Sequence, residues 1–302
     1  MLAATPYNQN AVSSGLMWQD EEPLVVRELA SDEEAEVLEF LRARAEHTFG
    51  MLGFIGTNGL VSPHNRGIFF GCRNQRGELK AVALIGHFIL FEARTEAGIR
   101  AIAKIAKDYP SAKMLLGDQE QVELFWQSYS EGGQPVRLQC RERLYAIQEA
   151  PAVGEPVSGL RLARMEDLDI VVPAHAESAF LDSGENPLET DAEGFRARCA
   201  RRIEQGRTWV WIEAGVLRFK AEVITDTAEV IYLEGVWVDQ RERGKGYGRR
   251  CMSELTRRLL ERSKNVCLLV NERFEAAQAF YEKTGFTCSG SFDTIFLKHM
   301  TN

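Results

Sequence analysis

Apolar positions along the chain divide it into two halves that repeat one order of elements. The first half predicts helices at 31–46, 95–106 and 120–129 and strands or extended stretches at 24–29, 68–72, 79–91, 113–116, 135–140 and 143–147. The second half predicts a strand at 160–163, helices at 165–180 and 192–205, a hairpin at 208–213 and 216–224, and a final extended pair ending near residue 297. The glycine-bearing segment 49–67 is predicted to be a loop with at most a short helix. This order favours a mixed α/β fold.

The most informative stretch lies between residues 230 and 262. Residues 230–238 are rich in β-branched and aromatic side chains and predict a strand, whereas apolar residues recur at helical spacing from Met252 to Leu260. Between them stands Arg243-Gly244-Lys245-Gly246-Tyr247-Gly248. Alternate glycines expose backbone N–H groups, and the following helix directs the positive end of its dipole to the same place. This turn therefore suits a phosphate or pyrophosphate.

The charge around the turn agrees with a polyanionic ligand. Residues 243–264 carry eight Lys or Arg against two Glu, a surplus of six positive charges in a chain whose formal net charge is −8. Two better-known phosphate motifs do not fit. A P-loop needs Ser or Thr after its lysine, and none follows Lys245. A dinucleotide fingerprint needs Gly-x-Gly-x-x-Gly, whereas the spacing here is Gly-x-Gly-x-Gly.

The turn resembles the acyl-CoA motif of the GNAT superfamily of N-acyltransferases, Gln/Arg-x-x-Gly-x-Gly/Ala after the fourth strand, because Arg243, Gly246 and Gly248 stand at its defined positions. The superfamily's second motif follows in order: a strand at 266–271, then a helix with Phe280-Tyr281 and Gly285-Phe286. The resemblance covers roughly residues 158–298, about half of the chain.

The resemblance implies two tandem GNAT-like domains, each with a mostly antiparallel central sheet flanked by helices. We expect a loose N-terminal lead-in at 1–22, a degenerate GNAT-like domain at 23–150, a linker at 151–159 and an acetyl-CoA-binding GNAT domain at 160–302. The first copy has Phe91-Glu92-Ala93-Arg94-Thr95-Glu96-Ala97-Gly98 where the glycine turn should stand. Acidic side chains and a single glycine cannot hold a pyrophosphate in the same way. The chain is similar to tandem GNAT proteins in which only the C-terminal unit is loaded.

Acetyl-CoA is the cosubstrate that the resemblance implies. We expect the diphosphate and the pantetheine arm to bind along the strand edge and the turn, at Val236, Trp237, Val238, Arg243, Gly244, Lys245, Gly246, Tyr247, Gly248 and Arg249. The second motif often carries an Asn seven residues before its Tyr, and here that position is Phe274. Asn271, at the end of the preceding strand, is the candidate to replace it by capping the helix or binding the arm.

The expected reaction is direct attack of a neutral amine on a thioester, with coenzyme A as the leaving group. Glu234 is the candidate for removing the amine's proton, directly or through a water, although the superfamily's acidic residue often stands two positions earlier, at Tyr232. Tyr281 is the candidate acid for the leaving thiolate, since a phenol with a pKa of about 10 can donate a proton to it. A backbone N–H near Val238 is expected to stabilise the oxyanion.

Other polar residues are weaker candidates. His175 lies in a predicted helix beside the usual acceptor region, where either a substrate contact or a partly buried structural role fits. An acidic run could attract a cationic acceptor or simply form a solvated loop; its members are Asp182, Glu185, Glu189, Asp191 and Glu193. The six cysteines are scattered without metal-ligand spacing, so no metal site is predicted and they are read as buried filler.

Composition narrows the function further. The negative net charge argues against nucleic-acid binding. No apolar run approaches the length that spans a bilayer, so we expect a cytoplasmic protein without a membrane partner. The predicted activity is an acetyl-CoA-dependent N-acetyltransferase acting on a primary amine of a small molecule, peptide or protein side chain. The alternatives are a non-catalytic acyl-CoA-binding regulatory module and a mycothiol-synthase-like small-molecule acetyltransferase. The sequence predicts no oligomeric state.

Overall fold

The computed structural model describes residues 23–151 and 156–298. The predicted lead-in at 1–22 and part of the predicted linker lie outside these ranges. The strands are β1 Val25–Glu28, β2 Gly67–Arg73, β3 Leu79–Gly86, β4 Phe88–Ala93, β5 Met114–Asp118, β6 Val136–Ile147, β7 Leu160–Leu162, β8 Thr208–Glu213, β9 Val216–Asp226, β10 Ile231–Val238, β11 Val266–Asn271 and β12 Thr287–Leu297. The α-helices are α1 Glu34–Arg42, α2 Phe49–Asn58, α3 Glu96–Ala106, α4 Gln119–Tyr129, α5 Leu168–Ser183, α6 Pro187–Thr190, α7 Ala192–Glu204, α8 Tyr247–Leu260 and α9 Glu275–Lys283.

The strands of both halves form one continuous sheet, and the predicted mixed α/β class is confirmed. The sheet has 12 strands in the order β1-β2-β3-β4-β5-β12-β6-β11-β10-β9-β8-β7. Neighbouring strands are antiparallel except for two parallel pairs, β4 with β5 and β10 with β11. Each half therefore contains one parallel pair in an otherwise antiparallel set, at equivalent places in the repeat.

The two halves exchange their last strands. β6, which ends the first half, pairs with β11 from Ile147 opposite Val266 to Glu142 opposite Asn271. β12, which ends the chain, pairs with β5 of the first half and lies against the other edge of β6. The predicted domain boundaries at 150 and 160 stay a prediction, but cutting there would remove a central strand from each half.

A shared core joins the halves on one face of the sheet. Helix α2 of the first half packs on strands of the second, with the ring of Phe49 stacked on Tyr232 at 3.9 Å between centroids. The Thr225 hydroxyl on β9 donates to the carbonyl of Phe49 at 3.0 Å. A Cβ on Gly53 would lie 2.4 Å from that hydroxyl oxygen, so glycine permits the close approach of helix and strand.

Several sequence predictions need correction. Residues 49–58, in the segment predicted to be a loop with at most a short helix, form helix α2, because the glycines at every third position face the sheet instead of breaking the helix. The single strand predicted at 79–91 is a hairpin of β3 and β4, and the two extended stretches at 135–147 are one strand. The final extended pair is likewise one strand, β12, with a register shift after Cys288. Cys288 is exposed, whereas the other five cysteines are buried.

Candidate active site at the divergence of two parallel strands

Strands β10 and β11 pair only at their beginnings and then separate. Their ladder runs from Ile231 opposite Val266 to Leu233 opposite Leu268, although β10 continues to Val238 and β11 to Asn271. Against β9, β10 advances three residues from Glu234 to Trp237 while β9 advances two, from Glu222 to Lys220. The extra residue is a β-bulge, which bends β10 away from β11 and opens a gap in the sheet.

A buried charged network holds the bulge. The ammonium of Lys220, which is 0% exposed, donates to the Gly235 carbonyl at 3.0 Å and to Glu222 Oε1 at 3.1 Å. Gly235 has a φ of +56°, and a Cβ there would lie 3.0 Å from the Lys220 nitrogen, so the position requires glycine. Because a trans peptide points its C=O and N–H in opposite directions, the Val236 N–H faces away from Lys220.

His175 belongs to this network and not to the surface. Arg202 donates to Glu222 and approaches His175 Nε2 at 2.9 Å. Arginine is donor-only, so Nε2 accepts and the imidazole proton is assigned to Nδ1, which lies 3.1 Å from both Glu222 Oε1 and the Lys220 nitrogen. Nδ1 then donates to Glu222, and Lys220 donates to Glu222 and to the Gly235 carbonyl. Burial and the Lys220 charge lower the pKa of His175 to about 3, and it remains neutral. Burial opposes the charge of Glu222, but its cationic neighbours outweigh it and lower its pKa to about 2.

The glycine turn forms an open helix N-terminus beyond the end of β10. Helix α8 begins at Tyr247, and its N-cap residue Gly246 supplies no side-chain hydrogen bond. Gly244 and Gly246 have φ values of +78° and +83°, and a Cβ on either would meet nothing within 4 Å. Gly248 serves a different purpose, because a Cβ there would lie 3.0 Å from Val238 and 3.3 Å from Phe280. The outer side of the turn therefore presents backbone N–H groups to a ligand, and its inner side packs closely against the end of β10 and α9.

The side chains predicted to bind cofactor have varied surroundings. Arg243 donates from Nε to the Val238 carbonyl at 3.1 Å, which ties the turn to the strand end. Lys245 bonds Glu242 at 3.3 Å, and Tyr247 packs against Trp211 with ring centroids 5.2 Å apart. Trp237 donates to Glu177 at 2.9 Å and so faces α5. The side chain of Trp237 is thus engaged by α5, whereas Arg249 is exposed beside the helix N-terminus.

The two predicted catalytic residues lie near the gap. Tyr232 and Glu234 occupy the same face of β10 because side chains alternate along a strand, and the Phe49–Tyr232 contact shows that this is the face under α2. Glu234 is exposed there. Tyr281 on α9 is 8% exposed and packs on the opposite face, against Phe280 and Phe286. Its hydroxyl has no hydrogen-bond partner among the described residues. Burial and the charge of Asp182 raise its pKa.

Asn271 differs in part from its predicted role. Its Oδ1 accepts the backbone N–H of Arg273 at 3.1 Å, so it stabilises the turn before α9 rather than the first turn of the helix. Phe274 is the N-cap residue of α9 and makes no capping hydrogen bond. The prediction that Asn271 caps the helix is therefore wrong, while its contact with a bound arm stays a prediction.

The sequence did not indicate that two carboxylates, Asp182 and Glu142, have raised pKa values. Burial and the neighbouring Glu234 charge raise the pKa of Asp182, at the end of α5, to about 7. The pKa of Glu142 on β6 is also raised to about 7, first by burial and then by Glu234 and Asp293. The acidic run had included Asp182 without singling it out, and no sequence signal indicated Glu142. The alternation of Lys220 and Glu222 within an apolar strand was the available signal for the buried network.

The equivalent gap in the first half is filled. β4 and β5 pair from Phe88 opposite Met114 to Leu90 opposite Leu116 and then separate. The side-chain amide of Gln121 on α4 occupies the space, accepting from the Ala93 N–H at 3.0 Å and donating to the Ala93 carbonyl at 3.3 Å. Helix α3 follows almost at once, and the Thr95 hydroxyl caps it by accepting from the Gly98 N–H at 3.1 Å.

Two searches within the described residues bear on the class of protein. Across 23–151 and 156–298, no group of three or more His, Cys, Asp or Glu side chains is arranged to hold a metal ion. In the same ranges, no helix combines the length and apolar character needed to cross a membrane.

Comparison with known proteins agrees with the geometry. Residues 204–288 match the family model described as an acetyltransferase (GNAT) domain. No curated protein matched the sequence. Among solved structures, a Drosophila protein superposes with a TM-score of 0.65 at 13% identity, covering 91% of this chain and 99% of its own. A GNAT-family acetyltransferase from Colwellia psychrerythraea gives 0.54 at 16% identity, with 91% and 100% coverage.

A tandem GNAT protein from the clavulanic acid biosynthesis pathway gives a TM-score of 0.53 at 14% identity, covering 93% of this chain and 100% of its own. At such identities these likenesses concern the fold, and they span nearly the whole length of each protein. The family match lies on the stretch that contains β8 to β11, the open glycine turn and the Tyr281 helix. Residues 204–288 therefore match a GNAT acetyltransferase domain, and the chain as a whole has the fold of GNAT proteins, a tandem GNAT protein among them.

Proposed function

We propose that the protein is an acetyl-CoA-dependent N-acetyltransferase that transfers the acetyl group to a primary amine by direct attack, with the cofactor held by the C-terminal half. One observation carries this proposal: an uncapped helix N-terminus stands at the end of a strand whose neighbour has separated from it. The helix N-terminus can bind an anion, and the free strand edge can pair with an extended arm.

The residues present fit coenzyme A. The backbone from Gly244 to Arg249 would hold the diphosphate, with Arg249 supplying a positive charge at its rim. The edge of β10 from Val236 to Val238 would pair with the amides of the pantetheine arm. The first half offers an internal precedent, because the amide of Gln121 pairs with both backbone groups of Ala93. Ala93 lies three residues beyond the last β4–β5 pair, and Val236 lies three beyond the last β10–β11 pair.

The bulge is the best position for the reacting carbonyl. An arm that runs from the turn back along β10 reaches the bulge last, beside Glu234. We therefore move the expected oxyanion donor from the region of Val238 to the Val236 N–H, which Lys220 orients through the Gly235 carbonyl. One such backbone donor contributes about 3 kcal/mol to transition-state stabilisation. The buried cation also polarises this peptide, which strengthens its N–H as a donor.

Two side chains would move protons in this reaction. A carboxylate on the face under α2 receives a proton from the incoming ammonium, and Glu234 is the candidate that the sequence offers. The phenol of Tyr281 supplies a proton to the departing thiolate. Its hydroxyl, which has no hydrogen-bond partner among the described residues, supports this assignment. Burial raises the pKa of the phenol and by itself makes it a weaker acid.

Calorimetric titration of acetyl-CoA into the whole chain tests the proposal. The whole chain is needed because β6 completes the sheet beside β11, so the halves cannot be assayed separately. We expect one equivalent of acetyl-CoA to bind and amines to release free thiol. Cofactor binding without thiol release from any amine would favour the non-catalytic acyl-CoA-binding module instead. No binding of acetyl-CoA would reject the proposed function.

A further inference from the structure

Helix α5 lies against the β-bulge of β10 and contacts it on both sides of Val236. His175 on α5 lies over Gly235, because a Cβ on that glycine would be 3.3 Å from His175 Nδ1. Two residues further along β10, the indole nitrogen of Trp237 donates to Glu177 Oε2 at 2.9 Å. Val236 therefore stands between two residues that α5 contacts.

The buried ammonium of Lys220 supplies a third contact with the bulge. It donates to the Gly235 carbonyl at 3.0 Å and lies 3.1 Å from His175 Nδ1. Strand β9 and helix α5 therefore meet at the same glycine. We call the three side chains that contact the bulge, Lys220, His175 and Glu177, the bulge clamp.

Other side chains hold the bulge clamp in place. Glu222 accepts from Lys220 at 3.1 Å and lies 3.1 Å from His175 Nδ1. Arg202 on α7 donates to Glu222 and lies 2.9 Å from His175 Nε2. Phe195, on the same helix, stacks on the imidazole with ring centroids 5.1 Å apart. Both ring nitrogens of His175 thus have partners and one ring face is covered, which fixes the side chain over the bulge.

The burial of these charges is not explained by stability. Lys220 and Glu222 are each 0% exposed. The attraction within a buried ion pair often does not exceed the cost of removing both charges from water, and apolar side chains of similar volume can replace such a pair without loss of stability. A fully buried lysine that bonds a backbone carbonyl is better explained by the conformation and the polarity that it gives to that peptide.

The corresponding strands of the first half have neither the bulge nor the buried cation. β3 and β4 pair in continuous register from Ala81 opposite Ala93 to Ile85 opposite Ile89. All buried residues of β3 are apolar. The bulge and the buried lysine therefore occur together, in the half that also has the open glycine turn.

We propose that the bulge clamp aims the Val236 N–H at the thioester carbonyl, and that its three members are positioning residues for acyl transfer. This inference rests on the proposed acetyl transfer and gives helix α5 a role in it. A cation on the oxygen of a peptide makes the N–H of the same peptide a stronger donor. A donor that is already fixed needs no reorientation when negative charge develops on the carbonyl oxygen.

Infrared spectroscopy of bound acetyl-CoA that carries ¹³C at the thioester carbonyl tests the clamp. A hydrogen bond to this oxygen lowers the stretching wavenumber of the carbonyl, so the band reports the donor without any turnover. We expect the wild-type chain to lower the wavenumber relative to free acetyl-CoA, and Lys220→Met to lose more than about half of that shift. Coenzyme A without the acetyl group should bind this variant within about threefold of wild type, because the contacts proposed for its diphosphate lie elsewhere.

Lys80→Met is the matched control for the lysine. Lys80 lies on β3, in the first half, and its ammonium bonds Glu78 at 2.8 Å. Its removal should leave both the carbonyl band and the affinity for coenzyme A at their wild-type values. A change in the band equal to that of Lys220→Met would trace the effect to the loss of any lysine and would overturn the inference.

Two variants of Glu177 test the contribution of α5. Glu177→Ala removes the acceptor of the Trp237 indole and should lose part of the shift of the carbonyl band. Glu177→Gln keeps an oxygen that accepts the indole N–H, so it should restore the shift. Glu177 is half-buried, and neither variant leaves a buried charge without a partner.

The possible failures are distinguishable. Should Lys220→Met not fold, Lys220→Met/Glu222→Gln replaces it, since glutamine still accepts from Arg202. Acetyl-CoA that binds the lysine variant with an unchanged carbonyl band would overturn the inference and leave the proposed function standing. A wild-type band at the wavenumber of free acetyl-CoA would also overturn it. Failure of the wild-type chain to bind acetyl-CoA would instead reject the proposed function.

Discussion

The two halves of this protein contain the same gap between parallel strands and fill it in opposite ways. In the first half, Gln121 bonds both backbone groups of Ala93, so no edge remains for a ligand. In the second half, the corresponding residue Val236 lies beyond the last β10–β11 pair, and no side chain bonds its backbone among the described residues. A side chain of the protein therefore fills the gap in the first half, whereas the gap in the second half is open to a ligand.

The helix that follows the gap also differs between the halves, because its N-terminus is capped by a side chain in the first half and uncapped in the second. Thr95 caps α3 in the first half, whereas α8 begins at Gly246 with no capping side chain. A helix N-terminus without a cap leaves polar N–H groups that require water or a ligand. In the first half, side chains of the protein make the two kinds of backbone contact that we propose for the cofactor in the second half.

The largest expected effect comes from closing the open turn. Gly246→Asp should weaken acetyl-CoA binding by about 100-fold or more, because it puts a carboxylate where the diphosphate is expected. Gly132→Asp is the control, since Gly132 in the first half has a φ of +85° and similarly open surroundings. Both variants strain the backbone by a similar amount, but only the first should lose the cofactor by calorimetry. Equal loss in both would trace the effect to folding.

A smaller effect is expected from removing the hydroxyl of Tyr281, which has no counterpart in the first half. Phe125-Trp126 in α4 corresponds to Phe280-Tyr281 in α9, so only the second copy carries a hydroxyl there. Tyr281→Phe should lower the turnover rate by about 100-fold and leave acetyl-CoA affinity nearly unchanged, because the ring still packs. Tyr129→Phe, which removes another buried phenol hydroxyl, should leave the rate as it is. An unchanged rate in Tyr281→Phe would remove Tyr281 from the acid role.

The smallest effect tests the filled gap. Gln121→Ala leaves the buried N–H and C=O of Ala93 unpaired and should lower the free energy of unfolding by about 1–3 kcal/mol. Gln119→Ala, on the exposed side of the same helix, should cost less than about 0.5 kcal/mol. Acetyl-CoA stoichiometry should stay at one, since Thr95 still caps α3. A second bound equivalent would show that Gln121 alone blocks the first copy.

The sequence predicted the site's backbone better than its side chains. The glycine turn, the strand before it and the helix after it could be predicted because their signals are local: alternate glycines, β-branched runs and a helical period. The position and length of the helix at 49–58 were not predicted, because its glycines serve a contact with Thr225, far along the chain. Glu142 and Lys220 were missed for a similar reason, since their importance depends on neighbours from other elements.

By itself, the sequence determined the order of elements, the family motif and the half of the chain that carries it, because each follows from residues close together along the chain. Only the tertiary structure decided that β6 and β12 exchange places. That exchange brings Glu142 of the first half beside Asn271 at the end of β11 in the second. This placement depends on strand pairing over long separations, which local patterns of hydrophobicity do not encode.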